Sequence, residues 1–176
     1  SMARLHSLVH GLKTAGYTQP DSEAGARLAM DCFLHARSNI DVAPSVHQAL
    51  AQLAKRYRLF VISNGNADIQ KLGLRAYFEF ELKPSLTTPM KPAADLFTAA
   101  QHQLHLSGLD VLYIGDHPVS DIVGSNNAGW QSGWINPHHH KITHYKKPLQ
   151  FPSFEFQSIS ELKTLLLSLI QIRPDR

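Results

Sequence analysis

The sequence is poor in cysteine, in long apolar runs and in net charge, and each shortage excludes a class of protein. Cys32 is the sole cysteine. No internal disulfide framework can hold the fold, and a reducing, cytoplasmic setting is expected. No apolar stretch approaches the roughly 20 residues a membrane-spanning helix needs, and no secretory leader is visible. A membrane partner is therefore not expected. The formal charge is only +3, and the Lys146-Lys147 pair is too short for a nucleic-acid patch. There is no internal repeat, and the only biased tract is His138-His139-His140. What remains is a chain of 176 residues with 43% hydrophobic content, enough for one domain, or one domain with a small appendage, around a real core.

The first third reads as helical. Leu5, Leu8, Val9 and Leu12 recur at helical spacing before Gly16. Ala29, Cys32, Phe33 and Ala36 mark a second helix, with Ser22 as its expected cap and Cys32 as a buried packing residue. A third opens at Pro44 and carries Val46, Leu50, Leu53, Ala54 and Tyr57 on one face. From Arg58 the pattern changes. Leu59-Phe60-Val61-Ile62 is continuously apolar, as in a strand buried on both faces. A helix is expected near Ala67 to Leu72, a strand over Phe78 to Leu82, and a helix opening at Pro92. Val111 to Ile114 and Trp130 to Ile135 read as further strands, separated by a helix that Gly129 ends. Residues 137–157 read as irregular surface chain and Ser158 to Ile170 as a final helix. Strands alternating with helices predict an α/β fold with a Rossmann-like parallel sheet flanked by helices.

In such sheets ligands bind beyond the carboxyl ends of the strands. The polar groups with chemical potential fall there. Ser63, Asn64 and Gly65 follow one apolar strand and offer a hydroxyl, an amide and a flexible backbone, groups able to hold phosphate oxygens. Lys91, in Met90-Lys91-Pro92, places a point positive charge where it can face an anion. Asp116 ends a second apolar strand, and Asp121 follows five residues later. Two carboxylates at a strand tip raise each other's pKa unless a cation lies between them, and a hard ion such as Mg²⁺ takes a few carboxylate oxygens. Together these are the parts needed to bind a phosphoryl group and neutralise charge during its transfer. His117 reads as a loop residue facing substrate or solvent. His138 to His140 with His144 read as a solvated loop, and Asn126 and Asn127 as weak candidates to support the acidic loop. Trp130 and Trp134 read as core or rim.

In this order, the motifs resemble those of the haloacid dehalogenase (HAD) superfamily of phosphohydrolases. VISNGN around Ser63 resembles the second motif, whose hydroxyl binds the transferring phosphoryl group. Lys91-Pro92 resembles the third, whose lysine balances charge on nucleophile and phosphate. GDHPVSD, residues 115–121, resembles the fourth, whose acids hold Mg²⁺. The run from Arg37 to Phe80 is particularly similar to bacterial phosphatases acting on 5-amino-6-(5-phosphoribitylamino)uracil, flavin mononucleotide and sugar phosphates. The resemblance implies a phosphatase of small phosphorylated metabolites, with Ser63 and Lys91 catalytic, Ser63, Asn64, Gly65 and Lys91 on the phosphate, and Asp116 and Asp121 on Mg²⁺. It also implies that residues 3–42 are a reduced helical cap and residues 43–176 the core.

One family element is not in this sequence. The first motif, Asp-x-Asp-x-Thr on a central strand, supplies the nucleophile and the general acid, and no Asp-x-Asp occurs here. By resemblance the piece carrying it would lie before residue 3, and its strand would fit between those at Leu59 and Val111. A truncated phosphatase, close to inactive alone, is the first expectation. Without that strand a gap of about 10 Å, two inter-strand spacings, would separate the neighbours. They would then close up and pair, accept a strand from another chain or segment, or await a piece outside this sequence. The alternative reading is non-catalytic, a pseudo-phosphatase that binds phosphate or forms a homodimer by filling the vacant position. A receiver-like signalling domain would need a phosphorylatable aspartate ending a middle strand, and none is present.

Overall fold

The computed structural model describes residues 2–141 and 150–169. His144, Lys146, Lys147 and Ile170 lie outside the described residues. The chain divides into two compact units, Ser1–Val42 with Gly65–Ala76, and Ala43–Asn64 with Tyr77–Arg176.

The first unit is built on α1 (Met2–Thr14) and α2 (Gln19–Ser38), packed against each other. Leu5, Leu8, Val9 and Leu12 supply the half-buried stripe of α1, and Gly16 ends it at φ +93°, a conformation glycine adopts freely. α2 begins earlier than expected. Thr18, not Ser22, is the cap, its hydroxyl accepting from the Asp21 N–H at 3.3 Å. Ser22 lies inside the helix, fully buried with Ala26 and Met30 at four-residue spacing. Cys32 is exposed, contrary to its expected burial. The helix rolls its Ser22-Ala26-Met30 face inward, which carries position 32 round to the outside. The helix expected over Ala67 to Leu72 is instead a run of turns. Asp68 Oδ1 accepts from the Gln70 N–H at 2.8 Å, a local side-chain bond that competes with helix formation, and Gly73 follows at φ +70°.

The second unit is the α/β layer. α3 (Pro44–Leu53) starts on proline and buries Ala49, Leu50 and Leu53. It packs on α6 (Ile159–Leu169), which is capped by Ser158 with a second bond from Glu161 back to the preceding residue. The Glu161 N–H donates to Ser158 Oγ at 3.2 Å, while Glu161 Oε2 accepts from the Gln157 N–H at 2.7 Å. Tyr57, past the end of α3, donates its hydroxyl to the Leu166 carbonyl at 2.6 Å.

Two parallel sheets carry the layer. β1 (Val61–Ile62) pairs with β2 (Glu81–Leu82), and β3 (Leu112–Gly115) pairs with β4 (Gln131–Ile135), which pairs with β5 (Phe154–Phe156). β5 corrects the expectation of irregular chain over residues 137–157. Its three residues are too short a run for alternation to show in the sequence. α4 (Asp95–Leu104) starts three residues after Pro92, which sits in the preceding turn. The helix expected after β3 is a wide π-helical turn over Pro118–Val123 continued by α5 (Gly124–Asn127), and Gly129 closes it at φ +75°.

The core joins both sheets. Ile62, Leu96, Phe97, Ala100, Val111, Tyr113 and Trp130 form one buried cluster, with Phe60, Phe80 and Leu82 against it. Phe97 meets Tyr113 and Trp130 edge-on, each at 5.3 Å between ring centroids, a favoured geometry for aromatic pairs. β1 and β3 nevertheless belong to separate ladders among the described residues, so they have not closed up and paired. Side chains bridge them instead. Tyr113 reaches from β3 and donates its hydroxyl to the Ile62 carbonyl of β1 at 2.8 Å.

Candidate active site

The carboxyl ends of β1 and β3 bring Ser63, Asn64, Lys91, Asp116 and Asp121 into the same unit. Lys91 is its centre. Its ammonium donates to Asp121 Oδ1 at 2.7 Å, to the Ile62 carbonyl at 2.9 Å and to the Tyr113 hydroxyl at 2.5 Å. All three ammonium protons are therefore engaged. Lys91 is 6% exposed and Asp121 5%, so this is a buried ion pair, costly to desolvate and costlier to break. Burial, first, and then the Asp121 and Asp116 charges push the Tyr113 hydroxyl far above its ordinary pKa. It stays protonated and donates to Ile62 while accepting from Lys91.

The Lys91 backbone is held as tightly as its side chain. Asn64 Nδ2 donates to the Lys91 carbonyl and Asn64 Oδ1 accepts from the Lys91 N–H, both at 2.9 Å. Asn64 thus ties the tip of β1 to the loop before α4. One amide hydrogen remains to donate to an anion. Ser63 is half-buried, and its N–H continues the ladder to the Leu82 carbonyl at 3.0 Å. Gly65 follows in the chain and begins the segment that belongs to the first unit.

Asp121 lies on the π-helical turn. Its second oxygen, Oδ2, accepts from the His117 N–H at 2.9 Å. It packs so closely on Gly115 that a Cβ there would overlap its carboxyl group. Asp116 is exposed at the end of β3, and its carboxylate makes no hydrogen bond or ion pair among the described residues. His117 does not project as a ligand. Its Nδ1 accepts from the Val119 and Ser120 N–H groups at 3.2 and 3.0 Å, capping the turn. Asn126 and Asn127 hold the Phe151 carbonyl and the Gln150 side chain rather than the acidic loop. His138 and His140 stand 5.7 Å apart between ring centroids in a loop.

No group of three or more His, Cys, Asp or Glu side chains poised for a metal exists among the described residues. Mg²⁺ does not need one, since it binds through one or two carboxylates and keeps water or phosphate on its remaining positions. The donor set fits that ion. Asp116 offers a free carboxylate, each Asp121 oxygen retains a lone pair, and the one nearby imidazole is committed to backbone amides.

Two residues here were not singled out in the sequence for this site. Tyr113 read as one more apolar strand position, and Trp134 as core or rim. Trp134 is buried, and its indole N–H donates to the Asp116 carbonyl at 2.9 Å. The strands themselves were visible, but not which ring would reach a polar group.

Parallel strands with an invading lysine and two acids at their tips define a class, and comparison with known proteins agrees. A model of the haloacid dehalogenase-like hydrolases matches residues 2–129, and the chain belongs to that family. It is 32% identical over 163 residues to 5-amino-6-(5-phospho-D-ribitylamino)uracil phosphatase YigB of Escherichia coli, covering 93% of this chain and 68% of that protein. It is 28% identical to the pyrimidine 5'-nucleotidase YjjG of the same organism, covering 77% of this chain and 62% of that one. The crystal structure of a 2-haloacid dehalogenase from Pseudomonas syringae superposes with a TM-score of 0.83 at 32% identity, covering 94% of this chain and 70% of that one. The chain thus spans about two thirds of the length of these relatives.

Proposed function

We propose that this chain carries the phosphate- and Mg²⁺-binding part of a phosphatase site for small phosphorylated metabolites, and that alone it turns over close to nothing. The observation that carries the reading is the Lys91–Asp121 pair, buried at 2.7 Å beside the free Asp116 carboxylate. A buried ammonium with three fold-supplied acceptors is an expensive feature, and its location at parallel strand tips suits anion chemistry. Lys91 neutralises charge on the bound phosphoryl group, and the Ser63 hydroxyl and the Asn64 amide orient its oxygens. Asp116 and Asp121 hold the metal, which when bound screens phosphoryl charge as a Lewis acid. The substrate class follows the names of relatives that act on phosphorylated small molecules. Residues 3–42 are, in this reading, the remnant of a helical cap on a core of residues 43–176.

Low turnover follows from the absence of any Asp-x-Asp in the sequence. With p-nitrophenyl phosphate and Mg²⁺ we expect rates at the level of the protein-free blank. Robust turnover abolished by Asp116→Ala would overturn the inactivity and imply another nucleophile.

A second reading is non-catalytic, and the unpaired facing strands β1 and β3 favour it. Strand edges left unpaired within a chain template pairing with another, and a homodimer filling the position between them would displace the Tyr113–Ile62 bond that now spans it. Light scattering at working concentration reads this directly. A dimer supports the interaction reading, and a clean monomer removes it.

A further inference from the structure

We propose that Trp134 is a positioning residue for the acidic tip: by holding the Asp116 carbonyl it fixes the peptide plane that links the two carboxylates, and so raises the affinity for Mg²⁺. The proposal rests on the metal-binding reading above and adds a residue to it. The peptide between Asp116 and His117 has one carbonyl and one N–H. The carbonyl accepts from Trp134 Nε1 at 2.9 Å, and the N–H donates to Asp121 Oδ2 at 2.9 Å. Both polar groups of a single plane are thus pinned by side chains from different elements, β4 and the π-helical turn. Asp116 itself hangs from that plane with no other anchor for its carboxylate among the described residues, so the plane's orientation decides where its oxygens point relative to Asp121.

Trp134 is suited to the task by burial and register. It is 3% exposed, and its Cα is paired with Gly115, the residue just before the plane. Its ring is locked in the core while its N–H reaches the edge of the site. Trp130 supplies the contrast. It is 4% exposed, yet its Nε1 is buried with no hydrogen-bond partner among the described residues. An indole in this core is therefore not bonded by default. Asp116 is an exposed residue and the bond to its carbonyl is only part-buried, so water can replace the indole once it is removed. The bond then contributes little to stability and mainly to orientation, the kind of outer contact whose loss costs about 10- to 100-fold in metal affinity.

The test is a titration of the full chain with MgCl₂, with and without inorganic phosphate, followed by ¹H–¹⁵N NMR of the two indole N–H signals. Trp130→Phe assigns them and serves as the packing control. In the wild type we expect the Trp134 signal to move with Mg²⁺ and the Trp130 signal to stay. Trp134→Phe should weaken Mg²⁺ binding about 10-fold, while Trp130→Phe should leave it within about twofold. If Trp134→Phe binds Mg²⁺ as the wild type does, the positioning role is wrong while the metal site stands. If no signal of the wild type responds to Mg²⁺, both fall. Should Trp134→Phe fail to fold, the wild-type spectrum still decides, because a Trp134 indole signal unmoved while other resonances shift overturns the proposal.

Discussion

Lys91→Met should lower the stability of the fold by about 3–5 kcal/mol, the usual cost of removing one partner from a buried ion pair. The substitution keeps most of the unbranched side chain and deletes its charged end. It strands Asp121 Oδ1 in the interior and takes a donor from both the Ile62 carbonyl and the Tyr113 hydroxyl. For a chain of this size each kcal/mol shifts the midpoint by about 2–4 °C, so the expected fall is roughly 6–20 °C. Adding Asp121→Asn should recover part of the loss, since the stranded charge is then gone and the remaining deficit is hydrogen bonds of about 1 kcal/mol each. Urea unfolding of the two single variants and the double variant measures the coupling. A loss under about 1 kcal/mol for Lys91→Met would mean that the pair is open to water in solution.

Gly115→Ala should damage the site and the fold together. A Cβ at this position would overlap Cβ, Cγ and Oδ2 of Asp121, and no flexible chain end is there to give way. Overpacking of this kind costs about 1–3 kcal/mol. Displacing the carboxylate should also break its bonds to Lys91 and to the His117 N–H, abolishing Mg²⁺ binding in a calorimetric titration. Gly11→Ala is the matched control. Its Cβ meets nothing within 4 Å in mid-α1, so the change should stabilise by about 0.5–1 kcal/mol. Full Mg²⁺ binding by Gly115→Ala would show that Asp121 does not need its observed place.

The architecture was readable wherever burial left a one-dimensional trace. Leu59 to Ile62 and Val111 to Ile114 read as apolar strands, the first observed only over Val61–Ile62, and the polar residues that stop them mark the tips where the site lies. Pro44, Gly16 and Gly129 punctuate helices for local steric reasons that need no tertiary context. The misses share a different origin. Thr18 rather than Ser22 caps α2, and Cys32 faces out, because the roll of a helix is chosen by what packs on it. In the segment 67–72 an Asp68 side-chain bond competes with helix formation, and turns result. Within the site, the residue types were visible but their partners were not. Asn64 reads as a phosphate-holding amide, and the sequence gives no sign that it brackets the Lys91 backbone from 27 positions away. Tyr113 and Trp134 look like core from their neighbours in sequence, and only the fold shows which carbonyl each ring reaches.

The central claim is that Asp116 and Asp121 hold a divalent cation beside a phosphate whose charge the buried Lys91 ammonium offsets. Isothermal titration of the whole chain with MgCl₂, in the presence and absence of inorganic phosphate, tests it most directly. We expect saturable heat with Mg²⁺, tighter binding when phosphate is present, and loss of both in Asp116→Asn. No heat under either condition, or binding that Asp116→Asn leaves intact, would contradict the account.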